Sequence, residues 1–312
     1  MDITTILGLG QTALELGLMS SLTVLALFLS YSMLIVCDLS TDGCFTLGAT
    51  VGAVVAISGH PILSIPAAML AGMLTGFITA FLQTRMGIDS LLSGIIVNTA
   101  LYSVNIAVMG NSALLNMNKT ETVFTKVKTA LEGTFIAKQY KLIVIVLFVA
   151  AVVVFLSLFL RTKLGLAIRA TGDNPDMVRS SSINPIFTTS VGLCVANAFT
   201  ALSGCLLAQS QKSVYIDIGS GMVTMALASL LIGRAFMGKG KDALRAAGAV
   251  LGSVIFRRIY TVAIRFNMPA FMLKAVSSII VIIAISAPYM KKQIPMLKRK
   301  MAIRRERRRG NA

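Results

Sequence analysis

A polar side chain inside a long apolar run is expensive to keep and defaults to function. Asn98 and Asn105 stand seven residues apart, which places them on one face of a helix; Asn197 and Gln209 lie in a second run; Arg257 and Arg258 are adjacent in a third. Asparagines there either bind a polar solute or hydrogen-bond a neighbouring helix. One arginine of the adjacent pair can snorkel toward the interface. The other, Arg257, then faces a solute pathway or a polar cluster between subunits, where it would attract a carboxylate. Asn98, Asn105, Asn197 and Arg257 are therefore the candidate pathway residues.

A different kind of chemistry, mechanical rather than catalytic, is written in the polar stretch 161–186. Asn174 is a good N-cap, Pro175 fits the first helical position and Asp176 faces the positive end of the helix dipole. Pro185 prevents continuation, so a helix of about two turns is expected, too short to be stable alone in water. It needs a surface to pack on, and a partner subunit supplies one. Enzymatic readings fare poorly: His60 is the only histidine, which argues against zinc sites of the HExxH type and against Ser-His-Asp catalysis. Gly233 to Gly240 spells GxxxxGK but continues with Gly instead of the hydroxyl residue a P-loop needs for magnesium, and an apolar run precedes it.

The elements that must position these residues are membrane helices. The chain of 312 residues is 56% hydrophobic and 13% charged, where a soluble domain carries about 25% charged residues. Runs close to the roughly 20 residues that cross a hydrocarbon layer recur along it. Length, with the Gly, Pro and charged residues that interrupt the runs, gives nine candidate spans (eight to ten allowed): 16–36, 43–58, 64–83, 88–109, 141–160, 187–210, 219–236, 244–264 and 268–290. The fold expected is all-α integral membrane, a single transmembrane domain over 1–290 followed by a basic tail, 291–312. The spans 43–58 and 219–236 are short enough to be broken or tilted helices. The four cysteines, Cys37, Cys44, Cys194 and Cys205, form no CxxC pair and read as small buried hydrophobes.

Of the net charge of +17, the segment Lys291–Ala312 contributes +9. A basic tail just after a span marks the cytoplasmic side and touches anionic lipid, and with no folded basic module beside it nucleic acid is not expected as a partner. Counting back from a cytoplasmic C-terminus puts 161–186 and 237–243 inside, where Arg161, Lys163, Arg169, Arg179, Lys239 and Lys241 agree, and the N-terminus outside. The external loop 110–140 runs against the rule with Lys119, Lys126, Lys128 and Lys138. A docking surface for an acidic partner would account for it, as would a count wrong by one span.

The chain also resembles itself. Asp38-Leu39-Ser40-Thr41-Asp42-Gly43 is followed three residues later by Thr46, and Asp217-Ile218-Gly219-Ser220-Gly221 three residues later by Thr224. Each leads into a short apolar segment and, further on, a Gly-x-x-x-Gly span, Gly72/Gly76 and Gly248/Gly252. The topology makes the two copies inverted, and inverted repeats with short, glycine-interrupted helices are a transporter signature.

The run Gly165-x-x-x-Arg169-Ala170-x-Gly172-x-Asn174, ending near Ile183-Asn184, resembles the coupling-helix segment of ABC permeases of the branched-chain amino acid and ribose group, the type II importers. The likeness extends over most of the chain, through Asp38-Leu39-Ser40 and its glycine-rich sequel, Gly248 to Gly252, and Lys274. Arg257 followed by the segment with Lys274 is most similar to the tryptophan/tyrosine permeases of that group. The resemblance implies a multi-pass protein of the bacterial cell membrane, working as a homodimer or heterodimer of permeases with a cytoplasmic ATPase dimer and an extracytoplasmic substrate-binding protein. ATP hydrolysis would then fall to a separate subunit, and no cofactor is expected. Arg169, Ala170, Gly172, Asn174, Pro175 and Asp176 would seat in the ATPase groove. The solute would be small, an aromatic amino acid first, then branched-chain amino acids, sugars and nucleosides. The chain departs from the family where Ser182 stands in place of Gly, and where Met177 and Val178 stand in place of small residues. An ion-coupled secondary transporter or a channel is the rival class; the former needs intramembrane carboxylates, which are scarce here.

Overall fold

The computed structural model describes residues 3–130, 139–237, 242–265, 275, 278–283 and 286. Helix α1 (Ile3–Leu27) runs into a π-helix (Phe28–Met33), and a break over 34–40 leads to α2 (Thr41–Ile57). Helices α3 (Ser64–Thr84) and α4 (Ser90–Val108) follow, then strand β1 (Leu114–Asn116), α5 (Val123–Ala130) and α6 (Tyr140–Phe159). Two short helices, α7 (Lys163–Asp173) and α8 (Pro175–Ser180), precede the long α9 (Pro185–Gln211), strand β2 (Ser213–Tyr215), α10 (Met222–Met237) and α11 (Asp242–Arg265). Eight of the nine expected spans appear as helices. The ninth, 268–290, lies mostly outside the described residues, as do Lys274 and the tail 291–312. Among the described residues five helices are long and apolar enough to cross a membrane, and α2 and α10 are shorter apolar helices.

Two differences from the expected pattern have local causes. The first helix begins at Ile3 instead of 16, its polar residues being absorbed within the helix by bonds such as Gln11 Nε2 donating to Glu15 Oε1 at 3.2 Å. The loop 110–140 is not featureless: β1 pairs antiparallel with β2, Leu115 opposite Val214, and Val123 N–H donates to Gln209 Oε1 at 2.9 Å. Met117 and Phe124 are buried beneath this cap.

Glycine sets the packing of the centre. A Cβ on Gly48 would run into the Ala201 carbonyl, one on Gly52 into Cys205, and those on Gly72 and Gly76 into the Asn197 and Leu193 carbonyls. So α2 and α3 both lie with their backbones against α9, the close approach that small-xxx-small faces permit. The same contacts give direction: 48 to 52 rises with 201 to 205, so α2 runs parallel to α9, whereas α3 runs against it. On the other side Gly233 meets Gly248 and Gly252 meets Ser229, making α10 antiparallel to α11. Ser253 Oγ donates to the Gly17 carbonyl at 2.7 Å while Arg245 lies 5.6 Å over the Phe28 ring, so α11 is antiparallel to α1. Met19 faces Ser203 and Leu34 faces Gly192, so α1 is antiparallel to α9. It follows that α2 and α10 run in opposite directions, as the inverted repeat requires.

Candidate functional site

The first residues of α2 and α10 meet. Asp42 Oδ2 accepts from Gly221 N–H at 2.9 Å and Oδ1 from Val223 N–H at 2.8 Å. One carboxylate at the start of α2 thus satisfies two of the orphan donors at the start of α10. Gly219 lies so close that a Cβ would strike the Asp42 carbonyl. With 17 and 16 residues, each helix is about 25 Å long, short of the roughly 30 Å hydrocarbon layer. Their junction therefore falls inside the bundle and the two helices diverge from it. The acidic-glycine segments that repeat in the sequence are the two ends in contact.

Behind the junction Asp38, 1% exposed, anchors the break in the chain. Its Oδ1 accepts from Ser40 N–H at 2.9 Å and from Ser40 Oγ at 2.6 Å. Asn197, halfway along α9, donates Nδ2 to Asp38 Oδ2 at 2.7 Å and to the Leu193 carbonyl at 3.2 Å. Asn197 is thereby a positioning residue, holding the repeat segment at the depth of the helix centre.

Beside the junction lies a partly open cavity of about 320 Å³. Asp42, Gly43 and Thr46 of α2, Asn98, Thr99, Tyr102 and Asn105 of α4, and Ile216, Asp217 and Ser220 of the returning segment line it. Asn98, Tyr102 and Asn105 follow the i, i+4, i+7 spacing of one helix face. Asn105 donates Nδ2 to the Gly43 carbonyl at 3.2 Å, while its buried Oδ1 has no hydrogen-bond partner. Asn98 Oδ1 stands where a Cβ on Gly43 would come within 2.7 Å. The wall is rich in acceptors and holds two carboxylates and no Lys or Arg, a lining suited to a solute that brings a positive donor group.

Of the four candidate pathway residues, Asn98 and Asn105 share this cavity and Asn197 supports it from behind. Arg257 lies apart, between α10 and α11, with its guanidinium 3.7 Å from the Met225 sulfur and 5.4 Å from the centre of the Tyr260 ring. Its buried Nε has no hydrogen-bond partner. Asp42, Thr46, Tyr102 and Asp217 were not singled out for the pathway; the signal pointing to Asp42 and Asp217 was the repeat that carries both.

At the end of the bundle where α6 stops and α9 begins, α7 and α8 form an elbow around Asn174. The Asn174 side chain accepts from Asp176 N–H and Met177 N–H, each at 3.1 Å, with Pro175 at the first turn as expected. Thr162 caps α7, accepting from Gly165 N–H at 3.2 Å. Gly165, Ile168, Thr171 and Gly172 form the inner face of α7: Gly165 lies on the Phe159 carbonyl and Gly172 on the Met33 carbonyl. Thr171 shares a 2.8 Å hydroxyl contact with Thr188 of α9. Val178, 1% exposed, is the only buried side chain of α8. Asn174, Pro175, Asp176 and Met177 point outward. Thus Asn174, Pro175 and Asp176 stand on the open surface, Ala170 is half-buried, Gly172 is turned inward, and Arg169 forms an ion pair with Asp242 at 3.0 Å.

The family described as branched-chain amino acid transport system / permease component matches residues 12–285. A tyrosine transport system permease protein of Clostridioides difficile (strain R20291) is 29% identical over 267 residues, 85% of this chain and 86% of that one. An uncharacterised protein of Rickettsia prowazekii (strain Madrid E) is 29% identical over 227 residues, 72% of this chain and 76% of its own. No solved structure gives a significant match.

Proposed function

Because this chain belongs to the family of permease components of branched-chain amino acid transport systems, we propose that it forms the solute pathway of an ABC importer for an amino acid, an aromatic one foremost. The observation that carries the reading is the junction of α2 and α10, two oppositely directed helices whose first residues meet beside a polar cavity. The acceptors on the wall, Asp217 and Asn105 Oδ1 among them, match the ammonium group that every free amino acid carries, and Tyr102 and Ile216 add apolar surface. The aromatic preference rests on the tyrosine permease relative.

In this reading α8 receives force from a cytoplasmic ATPase dimer, through Asn174, Pro175, Asp176 and Met177. Two contacts pass the displacement on. Gly172 lies on Met33, at the end of the π-helix whose continuation, 34–40, supports α2; Arg169 holds Asp242, the first residue of α11. The motor therefore touches both repeats. The opposite end, capped by the β1–β2 ribbon and α5, is the place for an extracytoplasmic binding protein, and a second permease copy completes the assembly. The cell membrane of a bacterium, with the C-terminus cytoplasmic and the N-terminus outside, is the setting.

The test is reconstitution with the neighbouring ATPase and binding protein, measuring ATP hydrolysis and uptake against aromatic and branched-chain amino acids, sugars and nucleosides. Expected is ATP-dependent uptake of an aromatic amino acid, together with a cross-link from Asp176→Cys to the ATPase. Uptake by the purified chain alone, or a cross-link that never captures an ATPase, overturns the proposal.

A further inference from the structure

We propose that the cleft between the π-helix, α7, α10 and α11 is a binding site for a phosphate-type anion, the headgroup of an anionic lipid. Tyr31, Ser32, Met33 and Ile35 line one side of this cavity of about 410 Å³, and Arg169, Asp173, Arg234 and Arg245 the other. Arg234 and Arg245 each donate to the same atom, Ser32 Oγ, at 3.2 Å. Two guanidiniums thus converge on one neutral hydroxyl, which cannot offset their charge. The only carboxylate bonded to the cluster among the described residues is Asp242, and it is divided between Arg169 at 3.0 Å and Arg245 at 3.5 Å. Asp173 stands exposed on the wall. Three guanidiniums therefore face two carboxylates, and Arg234 has no acidic partner of its own among the described residues. Forked guanidinium donors lining one cleft are the arrangement that takes phosphate oxygens bidentately.

The position of the cluster favours a lipid over a free ion. It lies at the end of the bundle that bears α7 and α8, where the last turn of α10 and the first of α11 leave the apolar layer, the depth of lipid phosphates. Basic pockets between membrane helices at this depth hold anionic headgroups. Its rim is apolar and open: Ile35 is 64% exposed and Tyr31 38%, a surface for glycerol and the upper acyl chain. Ile35 also adopts φ 57°, unusual for a β-branched residue, which turns its side chain outward at the rim.

The experiment uses the full chain purified in neutral detergent, with phosphatidylglycerol, phosphatidylcholine of the same chains, or inorganic phosphate added. Native mass spectrometry counts bound lipid and the melting midpoint reports stabilisation. Phosphatidylglycerol is expected to bind and stabilise where phosphatidylcholine does not. In Arg234→Gln its affinity should fall on the order of fivefold, the effect of one basic residue near a headgroup, whereas Arg161→Gln, at the same end but outside the cleft, leaves it unchanged. Ser32→Glu should raise the midpoint without lipid and abolish the lipid response, because the chain then supplies its own anion. Inorganic phosphate acting as strongly as the lipid would keep the anion site but assign it to a soluble source. Equal lipid binding by wild type, Arg234→Gln and Ser32→Glu overturns the proposal.

Discussion

Asp42 joins the two repeats, since both its oxygens cap the start of a helix from the other one. Asp42→Asn keeps the shape but replaces one acceptor by a donor, leaving Gly221 or Val223 with an unsatisfied N–H. The expected cost is about 1–3 kcal/mol, read as a lower melting midpoint in detergent and lost uptake after reconstitution. Ser182 illustrates the opposite case. It sits at φ 61° just after α8, in the left-handed region where a side chain costs about 1–2 kcal/mol. Ser182→Gly removes that cost and is expected to stabilise the fold by about 1 kcal/mol, read as a higher melting midpoint. The residue scale was only partly legible in the sequence. Asn98 and Asn105 were found because an amide in an apolar run stands out. Tyr102 and Thr46 were not, because hydroxyls are common in such runs and only the fold brings these two to one wall.

The short helix α8 is held by its cap and by one buried side chain. Asn174→Ala removes the acceptor for two backbone N–H groups, a loss of about 1 kcal/mol. That is enough to loosen a helix of six residues. Hydrogen exchange at residues 177–181 should accelerate in the variant while the flanking helices keep their protection. If the coupling proposal holds, ATP hydrolysis and uptake fall out of proportion. Met177 and Val178 now have separate accounts, Met177 standing open at 56% exposure and Val178 anchoring the helix at 1%. The cap, the proline and the helix length were readable at this scale, because they depend on neighbours in sequence. The π-helix, the β-ribbon and α5 were not. The ribbon and α5 exist through contacts with distant segments, Leu115 with Val214 or Val123 with Gln209, and no local pattern announces them.

Across the whole molecule, the α2–α3–α9 block and the α1–α10–α11 group are each sewn along glycine or small-residue seams, and α1 also packs on α9. The spans were legible because apolar length is a direct consequence of the solvent they occupy. The head-to-head meeting of α2 and α10 appeared in the sequence only as a repeat of acidic and glycine residues, with no indication that the two copies touch. The architecture predicts strict sidedness: Ser180 and Asn118 belong to opposite ends of the bundle. With the orientation proposed above, in a cysteine-free background Ser180→Cys should react with an impermeant maleimide only from the cytoplasm and Asn118→Cys only from outside. An exchange of sides would invert the topology, and labelling of both from one side would break it.

A membrane held at a voltage is drained by any passage whose fixed charges recruit small ions. At the meeting of α2 and α10, two helix ends of about half a positive charge each face the single carboxylate of Asp42, and the three nearly cancel. Of the two carboxylates beside the cavity, Asp42 is thereby neutralised by the helix ends, and Asp217 is left as the one that can face a cation. The same contact that joins the repeats thereby takes one fixed charge out of the field at that depth.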